Sequence, residues 1–132
     1  MELGVQTVKA ASLTIEAHAT DDPRSAVVAF TGILSERDPG VLLRPFFTEL
    51  HQRLVEQRRS EVRVDLTRLA FMNSASLKHF VTWIKSNDAL PEAERYRIRF
   101  QLNPAHHWQT VSMHAMSTFA ANAVTVERVA SG

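Results

Sequence analysis

A short polar segment, Asn73-Ser74-Ala75-Ser76, places amide and hydroxyl groups at the start of a predicted helix. Side chains of this kind accept hydrogen bonds from the free backbone N–H groups of a helix's first turn. The turn also lies at the positive end of the helix dipole, so it can bind an anion, carry a phosphate or contact a partner. A plain helix cap also explains these residue types, and both interpretations stay open at this point.

The remaining polar residues do not indicate a catalytic or metal site. Ser74, His79 and Asp65 would supply a nucleophile, a base and an orienting acid, but no Gly-x-Ser-x-Gly turn surrounds the serine. His79 also follows about a turn and a half into the helix and points away from its start. His107 and His114 lie about 10 Å apart by helical rise, too far to share one ion. We therefore predict no enzyme, no metal and no cofactor.

Composition narrows the class of protein further. The chain has 132 residues, a net charge of +1, 45% hydrophobic residues and no cysteine. This predicts one domain over residues 1–132 with a core at about 12–129. The lack of a basic block argues against a nucleic-acid partner. The first residues do not resemble a secretory signal, and no apolar run approaches the ~20 residues that cross a bilayer. We expect a cytoplasmic protein without membrane insertion.

The polar turn is predicted to join a strand to a helix. Val62 and Val64 alternate with polar residues, as in a half-buried strand, and a connector at residues 67–72 leads to Asn73. The apolar residues that follow recur at the spacing i, i+3, i+4, i+7 and so share one helical face: Leu77, Phe80, Val81 and Ile84.

Two further helices are predicted from apolar periodicity. The first is marked by Leu43, Phe46, Phe47, Leu50 and Leu54. Because proline fits only the first turn of a helix, Pro45 predicts a start near Arg44, and the helix should end near Gln57. The second is marked by Trp108, Val111, Ala115 and Phe119.

The strands alternate with these helices. They are predicted at residues 12–18, 26–30, 96–102 and 123–129, besides the strand at Val62 and Val64. The second should be buried on both faces and stop at Gly32, and a turn at residues 22–25 should join the first two as a hairpin. The order β-β-α-β-α-β-α-β predicts an α/β domain with a mixed, mostly parallel sheet of about five strands and helices mainly on one face.

Three segments carry a resemblance to a known family. The central one runs from the strand end Val64-Asp65-Leu66 to the turn Phe71-Met72-Asn73-Ser74-Ala75-Ser76-Leu77. The others are Phe30-Thr31-Gly32-Ile33-Leu34 and Leu102-Asn103-Pro104. Together they resemble STAS domains, the sulphate-transporter and anti-sigma-factor-antagonist family, whose central signature is a hydrophobic strand ending in Asp-Leu and an aliphatic-Asp-Ser-Ser/Thr-Gly-Leu turn.

The resemblance implies a small cytoplasmic switch protein. In anti-sigma factor antagonists, a partner kinase of the histidine-kinase-like ATPase fold phosphorylates a hydroxyl in this turn, and a metal-dependent phosphatase removes the phosphate. Here the family's acidic residue is Asn73, its first serine is Ser74, its phosphoacceptor position is Ala75 and its glycine is Ser76. Either this chain binds without switching, which we favour, or Ser74 or Ser76 is phosphorylated instead.

We therefore predict a non-enzymatic regulatory domain of partner-switching signalling that acts by protein–protein interaction. The contact surface should comprise Asn73, Ser74, Ala75 and Ser76, extended by Lys78 and His79 on the exposed side of the helix. The resemblance implies a protein partner, either a serine kinase or anti-sigma factor with the histidine-kinase-like fold or a related signalling protein. The alternative is a STAS-like component of a transport system that binds a lipid or an anion, which requires a pocket between helices and sheet.

Overall fold

The computed structural model describes residues 3–118 and 124–128. The elements within them are β1 (Val8–Lys9), β2 (Leu13–Ala19), β3 (Ser25–Leu34), α1 (Gly40–Glu56), β4 (Glu61–Met72), α2 (Ser74–Asp88), a 3-10 turn (Glu92–Glu94), β5 (Arg97–Leu102), α3 (His107–Ser117) and β6 (Val124–Arg128). The strands lie side by side in chain order, β1 to β6. The β1–β2 and β2–β3 pairs are antiparallel, and the other pairs are parallel. The predicted mixed, mostly parallel sheet is confirmed, with six strands rather than about five because β1 was not foreseen.

The described helices cover one face of the sheet. Alternate strand residues such as Val28, Val64 and Phe100 are fully buried in the core. Their neighbours Asp65 and Gln101 point to the other face and are half-buried. All three crossovers advance in the same direction along the sheet, and right-handed crossovers then bring their helices to the same side. The prediction that β3 is buried on both faces is wrong, because nothing described covers its second face.

Aromatic packing holds α1 and α2 side by side. The rings of Phe47 and Trp83 stack at a centroid distance of 4.8 Å and an angle of 15°, and Phe80 lies edge-on to Phe47 at 5.0 Å. The Trp83 indole N–H donates to the Tyr96 hydroxyl at 2.7 Å, which ties α2 to the start of β5. These contacts fix where α2 begins relative to α1.

The helix α1 begins earlier than predicted. It starts at Gly40 rather than near Arg44, so Pro45 lies inside it. A proline at this position removes the backbone hydrogen bond to the Val41 carbonyl, and its ring crowds that carbonyl. The apolar residues on either side of the proline, Leu43 among them, are buried, so core packing outweighs the lost bond.

Two strands run further than predicted. β3 continues past Gly32 to Leu34, and β4 continues through the predicted connector to Met72. They pair over this length with register shifts, which satisfies both backbones. Gly32 has φ 108°, and a side chain there would collide with the Ser12 carbonyl, so the glycine permits the extension.

The helix α3 turns a different face to the core from the predicted one. Val111 is 58% exposed and Ala115 is also exposed. The residues that are buried instead are Gln109, Met113 and Met116. The predicted Phe119 lies outside the described residues, as do positions 123 and 129 of the predicted last strand.

Gln109 explains why the face differs. Its side-chain N–H groups donate to the carbonyls of Leu66 and Leu69, at 2.7 and 2.8 Å, and its Oε1 accepts from the Asn103 N–H at 2.9 Å. A buried amide is stable because it meets backbone groups that would otherwise lack partners.

Among the described helices, none is long and apolar enough to cross a membrane.

Candidate partner-binding site

Asn73 organises the turn between β4 and α2. Its backbone N–H donates to the Leu34 carbonyl at 3.0 Å, which joins the ends of β3 and β4. Its side-chain Oδ1 accepts from the Ser76 backbone N–H at 3.1 Å, and its Nδ2 donates to the Glu36 carbonyl at 2.8 Å. The predicted cap is therefore present, and the same side chain also anchors the loop that follows β3.

The two serines of the turn have opposite environments. Ser74 and Ala75 are exposed at the first two positions of α2. Ser76 is 0% exposed, and its hydroxyl donates to Asn73 Oδ1 at 2.7 Å. An enzyme can therefore reach the Ser74 hydroxyl in the folded state, whereas the Ser76 hydroxyl is enclosed.

The first turn of α2, which is described in full, contains no acidic residue. The positive end of its dipole is therefore not neutralised by a neighbouring carboxylate. Lys78, one turn after Ser74, is exposed and adds a positive charge on the same side of the helix. This end of α2 is suited to an anionic group, whether a phosphate or an acidic side chain of a partner.

His79 does not lie on the exposed side of α2, and that part of the prediction is wrong. It is 7% exposed and faces α1, where Gly40 leaves room for the ring. A Cβ atom at Gly40 would come within 2.8 Å of His79 Cε1. Burial lowers the pKa of His79 below its usual value, and the nearby positive charges of Lys78 and Arg44 lower it further. The imidazole is thus a packing group between two helices.

Two exposed apolar residues lie beside the turn and were missed by the sequence analysis. Ile33 and Phe71 are 43% and 47% exposed, and they are register neighbours at the carboxyl ends of β3 and β4. Each is the penultimate residue of its strand, two positions before the first polar residue that follows, Ser35 or Asn73. We call Ile33, Phe71, Ser74, Ala75 and Lys78 the strand-end surface.

The comparisons with known proteins bear on the fold. No protein-family model matches the chain, and no curated protein matches it significantly in sequence. The crystal structure of an anti-sigma factor antagonist from Mycobacterium paratuberculosis is similar to it, with a TM-score of 0.56, over 85% of this chain and 86% of that chain. The chain has the STAS fold. The two sequences are only 14% identical, so this similarity is evidence about the architecture alone.

Within the STAS fold, the strand-end surface occupies the carboxyl ends of two parallel strands. Open α/β sheets generally present their binding residues at this edge, because the loops that leave the strands converge there. In this chain the edge combines exposed apolar groups with the exposed start of α2. The resemblance predicted from the sequence is confirmed at the level of the fold.

Proposed function

We propose that the chain is a regulatory domain that binds a protein partner through the strand-end surface, in the manner of an anti-sigma factor antagonist. The observation that carries this proposal is the pair of half-exposed apolar side chains, Ile33 and Phe71, beside the exposed Ser74 and Ala75. Exposed apolar groups rimmed by polar ones are typical of interaction sites. The similarity in fold to a protein described as an anti-sigma factor antagonist supports the same class of function.

The proposed partner is a serine kinase or anti-sigma factor with the histidine-kinase-like fold. This part of the proposal rests on the family resemblance of the turn around Asn73. We propose that the domain, spanning residues 1–132, acts in the cytoplasm and without catalysis of its own. The positive end of α2 and Lys78 would face acidic groups of the partner.

We further propose that this domain binds its partner without the usual phosphorylation switch. Ala75, at the family's phosphoacceptor position, has no hydroxyl. Ser76 is fully buried, which leaves Ser74 as the accessible hydroxyl of the turn. A phosphate on Ser74 would add a charge of about −1.5 to −2 beside the apolar pair and would oppose docking.

The experiment is affinity capture of the tagged protein and two variants from lysate of its own cells, with phosphosites mapped on the bait. Ala75→Glu places a carboxylate in the strand-end surface. Ala89→Glu makes the same change at the exposed C-cap of α2, about 21 Å away by helical rise. We expect the wild type and Ala89→Glu to recover one kinase-like partner equally, and Ala75→Glu to recover about tenfold less.

Thermal melting of the three proteins controls for folding. The midpoints should differ by only a few degrees, with Ala75→Glu slightly above and Ala89→Glu slightly below the wild type, because a carboxylate is favourable at the start of a helix and unfavourable at its end. Equal recovery by Ala75→Glu and the wild type would remove this turn from the interface. A phosphate on Ser74 of the captured bait would show that the switch survives with a displaced acceptor. An unmodified bait with a bound partner would support binding without switching.

A further inference from the structure

A cavity opens between α1 and α2, and none of its described lining residues belongs to the strand-end surface. Its volume is about 240 Å³. Phe47 and Trp83, the two stacked rings of the helix interface, form its apolar lining. Sites for drug-sized ligands usually enclose about 300 Å³ or more, so this cavity suits a smaller molecule with an apolar body.

A hydrogen-bond relay sets the protonation of His51 in the cavity wall. The Trp83 N–H donates to the Tyr96 oxygen at 2.7 Å, so the single Tyr96 hydroxyl proton is free to donate to His51 Nδ1, 2.6 Å away. We assign Nδ1 as the acceptor and place the proton of the neutral ring on Nε2, because this tautomer gives the Tyr96 hydroxyl proton an acceptor. Burial lowers the pKa of His51, which keeps the ring neutral. The part of His51 that lines the cavity therefore presents an N–H donor.

The other polar groups of the cavity are also suited to an anion. Arg44 contributes a guanidinium group, Thr48 and Thr82 contribute hydroxyls, and none of the described lining residues is acidic. His79 lines the same cavity, and its Nε2 is buried without a hydrogen-bond partner. That nitrogen has almost no accessible surface, so the donors available to an anion in the cavity are Arg44, His51 and the two threonine hydroxyls.

We propose that the α1–α2 cavity binds a small monocarboxylate with an aromatic or compact apolar body. The apolar part would contact Phe47 and Trp83, and the carboxylate would accept hydrogen bonds from His51 Nε2 and Arg44. Charge-assisted hydrogen bonds of this kind are stronger than neutral ones and select a carboxylate over its uncharged amide. This proposal does not depend on the partner-binding proposal, since it uses different residues.

The chain contains two tryptophans, which provide a matched pair of reporters. Trp83 lines the cavity, whereas the Trp108 N–H donates to the Ala70 carbonyl, outside the lining residues. Titration with benzoate, phenylacetate and 3-phenylpropionate is followed by the two indole N–H signals in a proton–nitrogen correlation spectrum, with Trp108→Phe used for assignment. We expect the Trp83 signal to shift with a Kd near or below about 1 mM for at least one acid, and the Trp108 signal to stay in place.

The uncharged amides of the same acids test the anionic part of the proposal and should bind about tenfold more weakly. Arg44→Gln should weaken binding of the acids about threefold to fivefold and leave the amides unaffected. Arg37→Gln, the same change at an exposed loop position outside the cavity, should bind like the wild type. The proposal would be overturned if no acid shifts the Trp83 signal at about 10 mM, which is ten times the expected Kd. Equal binding of the acids and their amides, or equal shifts of both indole signals, would overturn it as well.

Discussion

Replacement of Asn73 by alanine tests whether this side chain holds the turn together. Its Oδ1 accepts from the Ser76 N–H and the Ser76 hydroxyl, and its Nδ2 donates to the Glu36 carbonyl. Loss of a side-chain N-cap costs about 1 kcal/mol. The buried Ser76 hydroxyl, left without an acceptor, adds about 1–2 kcal/mol. The lost hydrogen bond to the exposed Glu36 carbonyl adds little, because water can replace it. Asn73→Ala should therefore lower the free energy of unfolding by about 2–3 kcal/mol, measured by urea denaturation.

Ser76→Ala in both backgrounds separates the two contributions. Alone it should cost about 1 kcal/mol, because a buried hydrogen bond is lost. In the Asn73→Ala background it should instead recover about 1–2 kcal/mol, since the unsatisfied hydroxyl is removed as well. Asn73→Asp keeps an acceptor at the positive end of α2 and should stay within about 0.5 kcal/mol of the wild type. A loss below about 0.5 kcal/mol for Asn73→Ala, or additive effects of the two alanines, would refute the reasoning.

Two further predictions concern the helices around the site. Pro45→Ala restores a backbone N–H that can donate to the Val41 carbonyl, so the urea midpoint should rise by an amount equivalent to about 1–2 kcal/mol. An unchanged midpoint would show that Pro45 does not destabilise α1. Burial lowers the pKa of His51 and of His79 below about 6.5. Below that pH the folded protein binds fewer protons than the unfolded chain, so the free energy of unfolding should fall from about pH 7 to pH 5. The double variant His51→Gln/His79→Gln should flatten this dependence, and an equal slope in both proteins would assign it to other groups.

The start of α2 was predictable because local signals agree there. Asn73 is a good N-cap residue, and Phe80 and Ile84, spaced four apart after it, both point into the core. The alternation of Arg97 and Arg99 with Ile98 and Phe100 likewise placed β5 correctly, since one face of that strand is buried and the other is not. Where the local pattern and the tertiary packing coincide, a single sequence suffices.

The misplaced residues are those whose burial depends on distant partners. Gln109 is polar, and its hydrogen bonds to two carbonyls of β4 and to the Asn103 N–H make its burial favourable, so apolar periodicity selected Val111 instead. His79 is buried because Gly40 allows α1 to approach α2 closely, a contact that neither helix reveals alone. Ile33 and Phe71 are exposed because they point to the face of the sheet that no described helix covers, opposite their buried neighbours Leu34 and Met72. Each of these outcomes is set by tertiary contacts.

The position of Ser74 determines what a modification there would act on. Ser74 is the first residue of α2, it is exposed, and it lies outside the hydrogen bonds that join Asn73 to Ser76. A phosphate at a helix start without acidic neighbours is electrostatically favourable, so it would leave the fold intact. The same charge would have to be desolvated by any partner that covers Phe71 beside it, which is costly. A phosphate on Ser74 would therefore act on the partner complex alone, whereas a phosphate on Ser76 would first have to break the Asn73 cap.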